Sequence, residues 1–319
     1  SLFTNSEASS VRSLVPRTSF RLFVTAFSQQ RGTAQRFLHL GAAKGWEAVS
    51  EWDVVNTSSK EARTLAKVVA EAVSIPSAKM DVVVGPEVAG IIAHESIGHP
   101  FEADRILGRE AAQAGESYMT RDYVGKKIGS EEDYVSDDPT IPGSFGFYLY
   151  DDEGVKARKR TLVEAGVVKE FLHNRETAAE LGVESNGSAR SMGYAYEPII
   201  RMANTYFEPG DYSFEELIED VGFGVFINNF MEWNIDDRRV NQRYVGLEAY
   251  LIENGELTKL VRNPVIEVTT FDLHKSLDAR GRDLKMFAAI CGKGDPAQGA
   301  PVFVGGPSLR FRGLFVSCR

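Results

Sequence analysis

The chain has 319 residues, 43% of them hydrophobic and 25% charged, with a net charge of −9 and a pI near 5.3. That is enough chain for one large or two ordinary domains of a soluble globular protein. The acidic balance argues against a nucleic-acid or anionic-membrane surface, which would need a basic patch, and no run approaches the roughly 18 apolar residues of a membrane span.

The chain opens SLFTNSEASS, with no initiator Met, basic stretch or apolar leader, and reads as an interior start. Residues 19–50 alternate apolar and polar in short runs punctuated by Gly, which predicts antiparallel strands. A helix follows. Ser58 and Glu61 form a capping-box pattern, Leu65, Val68, Val69, Ala72 and Val73 line one face, and Pro76 lies past the end. This places a boundary near 77–80, between a first domain (1–79) and a second (80–319). The second starts with a short apolar strand, DVVVG, and Pro86 then suits the first turn of a helix running through EVAGIIAHESIG.

Residues 101–140 are charged and loop-rich and read as a mobile flap. From about 145 the pattern is mostly β. LVEAGVVKEF (162–171) and LIENGELTKL (251–260) both read as hairpins, turning at Gly166 and at Asn254-Gly255, within one large antiparallel sheet. KARKR (156–160), the densest basic run, reads as a solvated strand edge. A Gly/Ser loop, SNGSARSMGY, and a short helix near 213–222 lie between the hairpins, and PVFVGGPSLRFRGLFVSC supplies closing strands. The expected fold is therefore α+β, with large, mostly antiparallel sheets and a helix that follows a buried strand.

The chemistry gathers at HESIGH, residues 94–99. Given five histidines and 45 carboxylates, roughly one chain of this length in a hundred would show such a pattern by chance. Its geometry is unusual. Residues four apart on a helix differ by about 40°, so both side chains face one metal; residues five apart differ by about 140° and about 7.5 Å along the axis. Two imidazoles so placed cannot share a zinc with Zn–N of about 2.0–2.1 Å. Either of two deformations removes the conflict. A π-bulge absorbs one residue through i→i+5 bonding; a break at Gly98 lets His99 swing back. Pro100 favours the break, because a residue before proline is pushed out of the α region. A catalytic zinc has three protein ligands and an open position, and the candidates for the third are Cys291, His173, His274, Glu102 and Asp104. Cys291 and Cys318 form no spacing motif, which fits a reduced, cytoplasmic compartment.

HESIGHPFEAD, followed far downstream by CGKGDPAQGAPVFVGGPSL, resembles the TldD/PmbA family, specifically its TldD-type metallopeptidase branch. DDEG (151–154), LVEAGVVKEF, SNGSARS, RMANTYFEPG (201–210) and EAYLIENGELTK (248–259) extend the resemblance over nearly the whole chain, in order. It implies a Zn2+ peptidase with ligands His94, His99 and Cys291 and Glu95 as the catalytic glutamate. It also implies peptide substrates and a cytosolic two-fold assembly, a homodimer or a heterodimer with a PmbA-type paralogue. Family chains carry a further α/β domain before the strands that open this sequence, and HPFEAD differs in detail from common bacterial versions. Beside the motif, Glu102 and Asp104 are candidates to orient a ligand imidazole through its second nitrogen, and Asn186 and Arg190 to contact substrate. His39, His173 and His274 read as structural. The rival readings are a non-catalytic binding or assembly subunit and a metal-dependent amidohydrolase acting on a small molecule.

Overall fold

The computed structural model describes residues 1–6, 9–109 and 116–318. Two sheets carry most of the mass. In the nine-stranded sheet, neighbouring strands run Phe230–Ile235, Asn241–Gly246, Pro264–Thr269, Leu309–Cys318, Ala78–Val84, Phe223–Ile227, Ala249–Glu253 and Glu256–Leu260, and Leu277–Arg280 pairs beside Leu309–Cys318. In the six-stranded sheet the order is Lys285–Lys293, Gln298–Gly306, Asn204–Phe207, Val135–Asp137, Arg160–Glu164 and Val167–Val168. Pairing is antiparallel except between Ala78–Val84 and Phe223–Ile227 and between Asn204–Phe207 and Gln298–Gly306. The α+β expectation holds.

DVVVGPEVAGIIA is buried almost throughout because it is apolar on every side. Its strand, Ala78–Val84, lies inside the larger sheet, and the helix Pro86–Ile92 starts at Gly85 with Pro86 in its first turn. That helix packs directly on the smaller sheet. A Cβ at Gly90 would lie 2.6 Å from the Gly305 backbone nitrogen, so only glycine allows this approach. One contiguous core joins the helix to both sheets through Val82, Val88, Ile92, Ile97, Val302 and Phe311.

The first segment holds a hairpin of two eleven-residue strands, Thr18–Ser28 with Gly32–Ala42, as the alternation predicts. Residues 44–50 differ: Glu47–Glu51 is a short helix. The next helix, Val54–Glu71, starts a turn before the expected cap. Ser58 is therefore interior, and its hydroxyl donates back to Val54 O at 2.6 Å, the usual alternative for a helical serine. Glu61 turns to Arg36 at 2.8 Å. Leu65 and Val69 pack on Val24, Ala26 and Ala34 of the hairpin.

Three further expectations are corrected. Both hairpins have two central residues at positive φ, Ala165-Gly166 and Asn254-Gly255, but they close the edges of different sheets. Where described, 101–140 is no flap: Phe101, Glu102, Tyr118, Met119, Ile128, Asp133 and Val135 are buried, while 110–115 lie outside the described residues. Its buried charges, Glu102, Arg105, Asp133 and Asp137, each have a buried partner, as His274 is for Asp133 at 2.9 Å, whereas Asp122, Lys126 and Lys127 stay exposed. In KARKR, Arg160 is fully buried and ion-paired with Asp137, so that run is not wholly solvated.

Candidate metal centre

Ala93–Gly98 forms a π-turn on the end of Pro86–Ile92, and the His99 amide donates to His94 O at 3.1 Å, five residues back. The helix thus absorbs the extra residue of HESIGH by bulging. The break favoured by Pro100 does not occur, and His99 stays in the right-handed helical region at φ −62°, ψ −45°. The bulge brings the rings of His94 and His99 to 4.8 Å between centroids, nearly perpendicular.

Cys291 comes from Lys285–Lys293, an edge strand of the six-stranded sheet, and its Sγ lies 3.4 Å from His99 Nε2. One donor atom from each of His94, His99 and Cys291 falls within 4.8 Å of the others, and all three residues are buried. Among the described residues no fourth protein donor joins them. The set fits zinc in its chemistry: two imidazoles and a thiol. His94 Nδ1 is buried without a hydrogen-bond partner. Burial works against a thiolate at Cys291, but the nearby His99 and Arg201 outweigh it and pull the thiol down to about 7. Burial keeps His94 neutral, the ligand form.

Gly98 makes the turn possible from its other side. A Cβ there would lie 1.9 Å from Sδ of the fully buried Met202. Gly98→Ala is expected to cost about 1–2 kcal/mol, because overpacking exceeds the roughly 1 kcal/mol that alanine returns in helix propensity. Urea unfolding should show that loss, and a much smaller one in a Met202→Ala background. An unchanged midpoint for Gly98→Ala alone would refute the packing argument.

Glu102 accepts from His99: Oε2 lies 3.0 Å from Nδ1, leaving Nε2 towards Cys291. Burial would raise the Glu102 carboxyl, but Lys293 at 3.2 Å, His99 and Arg105 at 2.9 Å hold it well below the carboxylate range. Asp104 stands one step further out, with both oxygens 2.7 Å from Lys293 Nζ. Asn186 and Arg190 are not brought to the cluster. Asn186 bonds Phe171 O and the His173 amide. Arg190 donates to Met202 O and Pro301 O.

Glu95 lies on the same π-turn. Trp233 Nε1 donates to its Oε1 at 3.1 Å, and Arg239 Nη1 to its Oε2 at 2.5 Å. Both partners come from the hairpin of Phe230–Ile235 and Asn241–Gly246, and Arg239 has a positive φ of 63° in its tip. Neither residue shows a sequence signal: MEWN and DDRR read as ordinary strand and turn. These side chains face a cleft of about 1180 Å³, whose apolar walls include Phe37, Ile91, Phe230, Phe287 and Ile290.

Residues 77–318 match the family described as the PmbA/TldA metallopeptidase C-terminal domain. Over 318 residues the chain is 36% identical to a metalloprotease of Methanothermobacter thermautotrophicus, covering 99% of this chain and 67% of that one. It is 35% identical over 237 residues to a zinc metalloprotease TldD homologue of Saccharolobus solfataricus, covering 74% and 51%. The crystal structure of TldE from Thermococcus kodakarensis superposes with a TM-score of 0.72 at 19% identity, over 94% of this chain and 63% of that chain, a likeness of fold. The chain thus spans between about half and two thirds of the length of these relatives.

Proposed function

The chain belongs to the PmbA/TldD family of metallopeptidases, and on that premise we propose that it is a zinc-dependent peptidase acting on unfolded or short peptides, with His94, His99 and Cys291 as ligands and Glu95 as general base. The observation that carries this reading is the convergence of three buried donors of the right types beside a glutamate that faces a large cleft.

A zinc ion held there would supply Lewis acidity, polarising a peptide carbonyl and acidifying a water. The protein's own residues do the rest. A Glu95 carboxylate oxygen accepts the water's proton and returns it to the leaving amine nitrogen. Glu102, fixed by Lys293 and Arg105, holds His99 through Nδ1. Trp233 and Arg239 orient Glu95. The apolar walls of the cleft exclude water around the scissile bond and accept side chains of an extended peptide.

The cleft exceeds the roughly 300–1,000 Å³ usual for small-molecule sites, which favours a peptide over a small amide. One observation favours a second reading, a non-catalytic binding subunit: both Glu95 oxygens are already engaged. We further propose a two-chain assembly, with itself or with a PmbA-type paralogue, in the cytoplasm, and a domain division near residue 79; the family resemblance supports these. Among the described residues no helix is long and apolar enough to cross a membrane.

The test is turnover by the zinc-loaded chain, before and after chelation, on a long unfolded peptide and on a short N-formylated one. Chelator-sensitive cleavage of the long peptide supports the proposal. Deformylation alone would support the amidohydrolase, and zinc binding without turnover the binding subunit.

A further inference from the structure

Pro100 leaves the π-turn with a problem of its own making. In a regular helix the Ser96 carbonyl would accept from the amide of residue 100, and proline has no N–H. The next amide, Phe101, donates to Ile97 O at 3.0 Å. The Ser96 carbonyl is taken instead by Tyr118, whose hydroxyl donates to it at 2.7 Å. Without that hydroxyl the carbonyl would be a buried acceptor with its hydrogen bond unmade.

The Ser96 side chain is held as well. Its Oγ lies 2.5 Å from Ile92 O and 2.8 Å from His274 Nε2. His274 Nδ1 lies 2.9 Å from Asp133 Oδ2. Serine, histidine and aspartate thus stand in the order of a hydrolytic triad. All three are sealed from solvent at 0%, 1% and 0% exposure, so no substrate carbonyl reaches Ser96. The relay acts on the backbone that carries it, because Ser96 lies between His94 and His99.

The same braces reach Glu95. The Tyr118 amide donates to Arg238 O at 2.9 Å, next to the arginine that holds Glu95. Thr270, at the start of the helix that carries His274, donates through its hydroxyl to Arg239 O at 2.6 Å. The Tyr118 ring packs edge-on against Phe271 of that helix at 5.1 Å. One packed unit therefore meets the π-turn on its carbonyl, its serine and its glutamate.

We propose that Tyr118 and the Ser96–His274–Asp133 relay are positioning residues for the metal centre: they fix the width of the π-turn and so the separation at which His94 and His99 present their nitrogens. This rests on the reading of His94, His99 and Cys291 as a zinc site. A π-turn freed of these bonds relaxes towards α geometry, in which residues five apart diverge, and the histidine pair opens.

The experiment compares the wild-type chain with Tyr118→Phe and Ser96→Ala, each of which removes one hydroxyl; if one fails to fold, the other carries the test. Zinc affinity is read by competition with a chromophoric chelator, and ligand geometry by the visible absorption of the Co2+-loaded protein. Leu65→Ala, remote in the Val54–Glu71 helix, controls for simple destabilisation. The expected result is zinc binding weakened about tenfold in both variants, in the range for lost outer partners of metal ligands, with an altered Co2+ spectrum that Leu65→Ala does not show. Wild-type affinity and spectrum in the variants, with only a lowered Tm, would overturn the proposal. A wild-type chain that binds no zinc would overturn the metal reading and this inference with it.

Discussion

Cys291→Ala and His94→Ala, purified without chelators, are expected to contain no stoichiometric zinc, while the wild-type chain holds about one ion. The cluster offers three donors and, among the described residues, no substitute for any of them. Glu95, the nearest carboxylate by sequence, is tied to Trp233 and Arg239. Losing one ligand of three should therefore weaken binding more than the roughly 10–100-fold that follows loss of an outer partner. Glu102→Gln gives the internal comparison. It leaves all three donors and removes the charge that orients His99, so its loss should fall within that 10–100-fold range. Elemental analysis reads the stoichiometry and chelator competition the affinity. Stability follows by linkage, because an ion that binds only the folded chain raises Tm with concentration. Added zinc should raise the wild-type Tm and leave that of Cys291→Ala unchanged. Retained zinc in both ligand variants would mean that the convergence of His94, His99 and Cys291 is packing.

How far the site was legible in the sequence can be judged from the same residues. His94, Glu95 and His99 announced themselves by type and spacing, and the strand and helix before them by an apolar run divided at Gly85 and Pro86. Cys291 did not: its local sequence favours a buried small hydrophobe, and only the resemblance to a family singled it out. The form of the helix deformation was not legible either. A break at Gly98 and a π-bulge are both open to the local sequence, and the bulge is supported by Tyr118, 22 residues on, and His274, 178 residues from Ser96. Residues 101–140 misled for a related reason. A charged stretch reads as solvated unless its partners are known, and the partners of Asp133 and Asp137 are His274 and Arg160, remote in sequence. The S-x-x-E pattern at Ser58 failed because a serine that caps a helix and one that bonds back within it share the same spacing.

Glu95→Gln is expected to keep zinc and lower kcat by about 10²–10⁴, the usual contribution of a positioned general base. Arg239 tests the same carboxylate from its other side. Burial alone would raise the Glu95 carboxyl; the charges of His99, His94 and Arg239 and the Trp233 hydrogen bond more than offset this, and it lies below the ordinary range. Of these groups, Arg239 is the one in direct ion-pair contact with the carboxylate. A depressed carboxyl stabilises the fold above its unfolded pKa, and that share is lost as pH falls through the folded value. Arg239→Met leaves Glu95 buried at 9% side-chain exposure without its partner, which should cost about 3–5 kcal/mol in urea unfolding at neutral pH. The Glu95→Gln/Arg239→Met double variant should recover much of that loss, since no charge is then stranded. In activity, Arg239→Met raises the Glu95 pKa, so the acid limb of kcat/KM against pH should move to higher pH. If Arg239 instead locks a glutamate that takes no part in catalysis, Glu95→Gln will leave turnover unchanged, or the wild-type chain will bind zinc and turn nothing over. The first result removes Glu95 as the general base; the second removes the peptidase reading and leaves the binding subunit. A shifted acid limb together with a Glu95→Gln loss would mean that the arginine orients a working base, and that the carboxylate leaves its arginine contact far enough to take a proton.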